Sequence, residues 1–223
     1  MKILITSGGT TEYIDNVRVL TNVSTGKLGA ITAKKFLEAG FQVTYVAAKF
    51  AETPPTRDIG FSHDYPYPIQ IIPVSDVASL MHVMEQEVPK HDVIIHAMAV
   101  SDYGFKHGDP VKLKSNSTKD FIEFLRERIY INPKVISYIK RWNPKCKLVG
   151  FKFEVGKSRD DLLDIAIESL KRNDCDLVVA NDKAEMVAAK EHIAYIMEKD
   201  RAFTTCSGKE KIAEYLVKYA QSL

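Results

Sequence analysis

The chain has 223 residues, with 31 lysines and arginines set against 29 aspartates and glutamates, for a formal net charge of +2. So even a balance gives no electrostatic case for nucleic acid or a membrane surface as partner, and no apolar run approaches membrane-spanning length. Cys146, Cys175 and Cys206 are odd in number and form no C-x-x-C pair, so they read as reduced, packed thiols of a reducing compartment. Met1 to Thr6 reads as a strand rather than a leader, which makes the expected location cytoplasmic. A chain of this length can bury roughly 70% of its unfolded surface without a metal or disulfide staple, and it is expected to form one domain over residues 1–223.

In chain order, Lys2–Thr6 (KILIT) is a β-branched apolar run that breaks into Ser7-Gly8-Gly9-Thr10, the pattern of a buried parallel strand ending in a glycine turn. A helix is predicted from Ser24, as its cap, to Ala39, with Gly40 stopping it. Gln42–Ala47 is the second strand, and the proline-rich stretch from Lys49 to Pro68 is a surface loop. Ile69–Ile72 is a third strand, followed by a helix capped by Ser75 and running to about Val88. Asp92–Ala97 (DVIIHA) is apolar enough to be a central fourth strand, and Met98 to Lys119 reads as a long loop.

Phe121–Arg128 fits a strand or a helix equally, and a short helix is predicted over Pro133–Arg141. Strand Lys147–Phe151, helix Arg159–Arg172 and strand Leu177–Ala180 follow. The tail reads as a hairpin, Ile193–Met197 with Phe203–Thr205, and a last helix opened by a capping box from Ser207 to Glu210. Such strand–helix alternation predicts an α/β fold, a doubly wound, mainly parallel, Rossmann-like sheet closed by a β-hairpin and a helix. Sheets of this kind bind ligands beyond the carboxyl ends of the strands at the switch in strand order, so the loops after the first, fourth and fifth strands are the informative ones.

The first loop is not a standard nucleotide fingerprint. G-x-G-x-x-G is absent, because sixteen residues separate Gly8 and Gly9 from Gly26 and Gly29, and the second strand ends in Ala47-Ala48-Lys49 rather than an acid for ribose. Tyr45 and Lys49 have the Y-x-x-x-K spacing of short-chain reductases, but they lie on a strand and its exit and would not share a helical face. Gly26-Lys27 is no Walker lysine, since Leu28 stands where Ser or Thr should meet magnesium. Asn22, Ser24, Thr25 and Gly26 nonetheless sit at a helix start, where free N–H groups and the helix dipole favour an anion. His63, His82, His91, His96, His107 and His192 have no ligand spacing with cysteine or acids, so zinc is not expected, and His96 reads as a core histidine.

The stretch Thr6 to Gly29, TSGGTTEYIDNVRVLTNVSTGKLG, resembles the opening of phosphopantothenoylcysteine synthetases. Further stretches fall in that family's order: AMAVSDY at 97–103, KLK at 112–114, NPKV at 132–135, VGFKFE at 149–154 and VVAND at 178–182. The resemblance covers essentially the whole chain. It implies a ligase of coenzyme A biosynthesis that joins 4′-phosphopantothenate to cysteine. The carboxylate is first activated by a magnesium-bound nucleotide as an acyl nucleotidylate, with pyrophosphate leaving. CTP is the expected nucleotide and ATP the alternative. Many bacterial members are fused to a flavin-dependent decarboxylase. Because Met1 opens directly on the first strand, that part is expected to be missing and no flavin is expected to bind.

Carried over by similarity, Asn22 and Lys112 are the catalytic residues, Asn22 donating from its neutral amide to the reacting carboxylate or acyl intermediate. Arg18, Ala99 and Asp102 would bind the pantothenate side, with Arg18 reaching across a homodimer interface. Gly8, Gly9, Ser24, Thr25, Gly26, Lys114, Asn132, Pro133, Lys134, Val135 and Phe151 would line the nucleotide site, and either Lys112 or Lys114 would meet the phosphates. No residue is assigned to the metal. Two departures from the family pattern stand out. Met98 replaces a small alanine, which would alter a pocket wall, and the lysines the family sets near Ser169 and Asn173 are out of register, with Lys157 and Lys171 as replacements. The rival readings are a nicotinamide-dependent reductase and a non-catalytic nucleotide-binding protein. The split glycine loop and missing ribose acid oppose the first, and the joint presence of Asn22, Asp102 and the lysine loop opposes the second.

Overall fold

A computed structural model describes residues 1–55, 69–106 and 117–223. Its backbone is an eight-stranded mixed sheet built on six parallel strands: β1 (Lys2–Ser7), β4 (Gln42–Ala48), β5 (Gln70–Val74), β6 (Val93–His96), β9 (Lys147–Glu154) and β10 (Leu177–Asp182). These six run β10-β9-β6-β1-β4-β5 across the sheet, and the antiparallel β11 (Ile193–Glu198) and β12 (Phe203–Ser207) extend the β10 edge. The chain works outward from β1 to β4 and β5, then returns to place β6 on the other flank of β1. The order therefore switches between β1 and β6, where adjacent connections leave in opposite directions and open a crevice.

Both faces of the sheet are covered, which is why its central strands are apolar throughout rather than alternating. On one face α2 (Val77–Glu87), α4 (Ile136–Trp142) and α5 (Arg159–Arg172) bring Leu80, Met84, Ile139, Leu162 and Ala166 against Leu4, Ile94, Leu148 and Val178. On the other, α1 (Lys27–Glu38) and α7 (Lys209–Gln221) pack Phe36, Leu37, Ile212 and Leu216 against Ile3, Ile5, Ile95 and Val179. The doubly wound, mainly parallel architecture with its terminal hairpin and helix is the one the sequence pattern predicts.

Several local expectations are corrected. Helix α1 starts at Lys27, not Ser24, because Gly26 takes φ 76° as its N-cap and no side chain caps the helix. Left-handed backbone at that point ends the preceding turn and defeats the capping role expected of Ser24. Helix α2 is capped by Asp76 rather than Ser75, in a reciprocal box with Ser79. Phe121–Arg128 lies within helix α3 (Thr118–Arg128), capped by Ser117. The Ser207–Glu210 box does not form, since Gly208 is the N-cap of α7. Three elements have no counterpart in the sequence reading: α6 (Lys183–Ala189), capped by Asp182, and two small hairpins. One hairpin pairs β2 (Thr11–Tyr13) with β3 (Val19–Thr21), and the other pairs β7 (Tyr103–Phe105) with β8 (Ile129–Ile131).

The β9–β10 side is fastened by a nearly buried carboxylate. Asp176 accepts the Leu148 N–H at 2.9 Å and a Lys140 Nζ bond at 2.9 Å, with Lys147 and Lys199 at 3.4 and 3.5 Å. Burial alone would raise its pKa, but the Leu148 N–H and the Lys140 ammonium outweigh that and hold it below the ordinary carboxylate range. A carboxyl whose folded pKa is depressed binds protons more weakly than in the unfolded chain. Its stabilisation is therefore complete above about pH 4–5 and is lost as pH falls through the lower folded value. Asp176→Asn is expected to cost about 1–3 kcal/mol at neutral pH, measured by urea unfolding. The difference from wild type should shrink on acidification below about pH 4, and a pH-independent difference would contradict this account.

Candidate active site

The crevice is assembled by the loops that leave β1 and β6. Ala99 donates its N–H to the Gly8 carbonyl at 2.8 Å and accepts the Thr10 N–H at 3.1 Å, so Gly9 and Ala99 form a one-residue parallel bridge beyond the strands. Thr6 and His96 meet one turn deeper, Oγ1 to Nδ1 at 2.9 Å, and burial pushes the His96 pKa down to about 4. At neutral pH His96 is thus a neutral core residue, as expected. Ser101 takes its place through its N–H to Thr10 Oγ1 at 2.8 Å.

Asn22 follows β3 and reaches over this seam, its Nδ2 donating to the Ala99 carbonyl at 3.3 Å. Two residues from separate sequence motifs are therefore in contact at the switch point. The segment that carries Asn22 is held by Thr21 Oγ1 donating to the Thr10 carbonyl at 2.9 Å. Below it, Ser7 Oγ donates to the Gly26 carbonyl at 3.0 Å, and Glu52 N donates to the Thr25 carbonyl at 2.8 Å. Thr25 Oγ1 accepts the Lys27 N–H at 3.3 Å. Gly8, Gly9, Thr25 and Gly26 thus form one shelf beside Asn22 at the start of a twelve-residue helix, with Thr25 at the surface, Gly9 half-buried, and Gly8 and Gly26 buried against Ala51. Such a helix start presents N–H groups and a positive dipole end to an anion.

On the other side of the crevice, Asn132 is buried, with Nδ2 donating to the Ser101 carbonyl at 3.1 Å and its N–H donating to the Asp102 carbonyl at 2.9 Å. The exposed carboxylate of Asp102 is ion-paired with Lys134. The predicted substrate-side and nucleotide-side residues Ala99, Asp102, Asn132 and Lys134 are therefore one connected wall. Pro133 lies exposed between Asn132 and Lys134, whereas the Val135 side chain is buried in the core, leaving only its backbone for a ligand.

Other expectations fare differently. Met98 is buried in the core rather than lining the open crevice, so the departure from a small residue alters packing and not a pocket wall. Phe151 is half-buried and packs on the core face shared with α1 and α7. Ser24 is half-buried and makes no helix cap. Arg18 pairs with Asp15 at 2.9 Å, at the tip of the β2–β3 hairpin. Lys157 sits at the carboxyl edge of the sheet, its N–H bonded to Asp182 Oδ2 at 2.9 Å, while Lys171 occupies the last turn of α5 at the far edge. Only Lys157 is on the ligand side. Lys112 and Lys114 lie outside the described residues.

The Tyr45 and Lys49 side chains diverge as expected: Tyr45 donates its hydroxyl to the Glu52 carbonyl at 2.7 Å, and Lys49 binds Tyr13 OH at 3.2 Å. Sequence reasoning passed over Ser7, Thr10, Thr21 and Ser101. All four lie inside the motif stretches, and their small hydroxyls are the signal that a polar scaffold was required there. A cleft of about 350 Å³ lined by Lys2, Gln70, Lys90 and His91 opens at the opposite, amino-terminal edge, away from these motifs. Its His91 is satisfied on both ring nitrogens, by the Glu87 carbonyl and Thr44 Oγ1.

The family model for the DNA/pantothenate metabolism flavoprotein C-terminal domain matches residues 1–223. The chain belongs to this family. It is 35% identical over 182 residues to a coenzyme A biosynthesis bifunctional protein CoaBC of Thermococcus kodakarensis, a match covering 81% of this chain and 41% of that protein. With the corresponding Methanocaldococcus jannaschii protein it is 28% identical over 223 residues, or 100% of this chain and 51% of the other. The chain thus spans about half the length of the curated relatives it matches. Among solved structures it resembles a DNA/pantothenate metabolism flavoprotein from Streptococcus pneumoniae, with a TM-score of 0.82 and 36% identity over 100% of this chain and 99% of that one.

One close approach under the shelf sets a test. A Cβ on Gly29 would lie 2.2 Å from Ser7 Oγ and 2.6 Å from Ser7 Cβ. Gly29→Ala must push α1 off β1 or rotate Ser7 away from the Gly26 carbonyl. We expect it to cost about 1–3 kcal/mol by denaturant titration. Wild-type stability would show that α1 does not seat this tightly.

Proposed function

We propose that the crevice at the β1–β6 switch is the active site of a phosphopantothenate–cysteine ligase. The observation that carries this is the contact of Asn22 with the Ala99 loop, beside the uncapped start of α1. It joins a neutral amide donor, an anion shelf and a hydroxyl- and carboxylate-bearing wall within one crevice, and membership of the family supports the reading.

The chemistry follows from what these groups offer. A carboxylate is a poor electrophile, so it must first be converted into a mixed anhydride. The pantothenate carboxylate attacks the α-phosphorus of CTP, a P–O bond to pyrophosphate breaks, and an acyl cytidylate remains. The cysteine amine then attacks the acyl carbon, CMP leaves with the anhydride oxygen, and the amine loses a proton. Gly8, Gly9, Ser24, Thr25 and Gly26 would receive the phosphates on backbone N–H groups, and Asn132, Pro133, Lys134, Val135 and Phe151 would hold the rest of the nucleotide. Asn22 would release the Ala99 carbonyl and donate to the carboxylate, whose charge it does not oppose. Lys112 or Lys114 would neutralise the departing pyrophosphate, and Arg18, Ala99 and Asp102 would orient the pantothenate side.

Magnesium would supply charge neutralisation on the triphosphate. Among the described residues no group of three His, Cys, Asp or Glu side chains could hold an ion. Ligands drawn from phosphates and water suit magnesium, which keeps much of its hydration. A cytoplasmic setting is part of the proposal: Cys146, Cys175 and Cys206 are buried and unpaired, and a reducing compartment preserves such thiols. Burial raises the Cys146 and Cys175 pKa values to about 11 and about 12, so these two remain protonated and inert. No helix among the described residues is long and apolar enough to cross a membrane.

The purified protein is expected to release pyrophosphate only when 4′-phosphopantothenate and a magnesium nucleotide are both present, with a larger kcat/KM for CTP than for ATP. Asn22→Ala should lower kcat by roughly 100- to 1,000-fold, the cost of losing one oxyanion donor. Failure with both nucleotides sinks the ligase reading, and a preference for ATP sinks only the choice of base.

The dimer is proposed from exposed apolar side chains around the two hairpins and α3: Val17 in the β2–β3 turn, Val23 just after β3, Ile122 on α3 and Ile131 on β8 are all exposed. If Arg18 serves the partner's site while Asn22 serves its own, Arg18→Ala and Asn22→Ala homodimers should each be nearly inactive. Co-refolding them makes about half the dimers mixed, each with one intact site, so pyrophosphate release should return to roughly a quarter of wild type. No recovery, with the heterodimer confirmed by native mass, would place both residues in the site of a single chain.

A further inference from the structure

Glu12 is only 5% exposed, although it sits on the short β2 strand of a hairpin whose partner strand, β3, is exposed at every residue. Burying a carboxylate is costly unless its oxygens are satisfied. Here Oε1 accepts the Val77 N–H at 2.9 Å, at the first residue of α2. A backbone bond from Thr11 N to the Ser75 carbonyl at 2.7 Å reinforces the same contact. The α2 start already has its own cap, since Asp76 takes the Ser79 N–H. Glu12 is therefore a second carboxylate at one helix start, contributed from 65 residues away, where the dipole of an eleven-residue helix favours negative charge.

The geometry carries this contact to the crevice. Glu12 stands opposite Leu20 in the hairpin register, and Thr11 opposite Thr21, the residue before Asn22. Asp15 Oδ1 accepts the Val17 and Arg18 N–H groups at 2.8 and 2.7 Å, so the turn that presents Arg18 belongs to the same rigid unit. Leu20 and Val19 are exposed, so the outer strand gives the hairpin little apolar burial to hold it on the body. Polar contacts at its base add to the packing of β2 beside β7 in placing it.

We propose that Glu12 is a positioning residue, whose carboxylate at the start of α2 fixes the β2–β3 hairpin and thereby sets Asn22 and Arg18 over the crevice. This rests on the ligase reading for the consequence in catalysis, but not for the anchor itself. The role predicts a split. Loss of the anchor displaces Asn22, leaving the phosphate shelf on β1 and α1 in place.

The test uses Glu12→Ala and Glu12→Gln with two independent readouts. Glu12→Ala should lower kcat roughly 10- to 100-fold, the cost of a misplacement of about 1 Å, with the nucleotide KM unchanged. Hydrogen exchange followed by mass spectrometry should accelerate across residues 11–22 while β1, β6 and β9 keep wild-type protection. Glu12→Gln retains an acceptor for the Val77 N–H but loses the charge favoured by the helix dipole, so both readouts should fall between wild type and Glu12→Ala. Wild-type exchange across 11–22 in Glu12→Ala would overturn the anchor, and faster exchange with wild-type kcat would overturn its role in positioning. Should Glu12→Ala not fold, Glu12→Gln decides by the same two criteria. If the wild type itself releases no pyrophosphate, the ligase reading fails separately, and the exchange data alone judge the anchor.

Discussion

Everything at the candidate site depends on how two parallel strands part company. β1 and β6 are hydrogen-bonded neighbours up to Thr6 and His96, yet the chain must then turn toward opposite faces of the sheet. Two backbone bonds prolong the pairing just past the strands, from Ala99 N to Gly8 O and from Thr10 N to Ala99 O. Without that short continuation, Asn22 would have no fixed carbonyl to rest on and Asn132 no ordered Ser101 carbonyl to bond. The crevice is the geometric by-product of a sheet that reverses its order, stiffened by backbone rather than by a dedicated site element.

A graded set of polar contacts stands on this seam. The deepest are neutral: Thr6 with His96, and Ser7 with the Gly26 carbonyl. The next shell is amide and carbonyl, from Asn22, Asn132 and the loop backbones. Among the described residues, the Asp102–Lys134 pair is an exposed charge pair at the rim, whereas the Asp15 carboxylate beside Arg18 and the Glu12 carboxylate are buried in the hairpin. The neutral seam suits a reaction between anions. Fixed neutral dipoles can stabilise developing charge without repelling a carboxylate, and an exposed pair such as Asp102 with Lys134 is held only weakly in water.

The strands of the sheet were legible because burial on both faces writes itself as unbroken apolar runs, as in KILIT and DVIIHA. Ala99 and Asp102 were legible in the loop after the central strand β6, one of those the topology marks as informative, whereas Asn132 follows the short β8 and was reached only through the family resemblance. The two hairpins were not. β2 and β3 are three residues each, too short for periodicity, and β7 and β8 pair across α3 and residues outside the described set. The start of α1 was misread because Ser24 looks like a cap, whereas the decisive residue is Gly26, whose positive φ no propensity scale records. Glu12 stands inside the first motif, yet nothing local announces a helix start 65 residues further along.

The same seam has a kinetic meaning. Thr6 and His96 are 90 residues apart in sequence, and joining β6 to β1 closes a loop that contains β4, β5 and α2. Closure entropy grows with the logarithm of loop length, and contacts of this span are late rewards in folding. The β1–β4 side and the β9–β10 side each contain nearer pairings and can condense first. Ile94 and Ile95 of β6 belong to the two apolar faces, so the faces and the crevice are completed by the same pairing, and a chain in which it has not formed exposes unpaired edges at β1 and β6. Unpaired edges of that kind are where a partly folded chain is most exposed to aggregation.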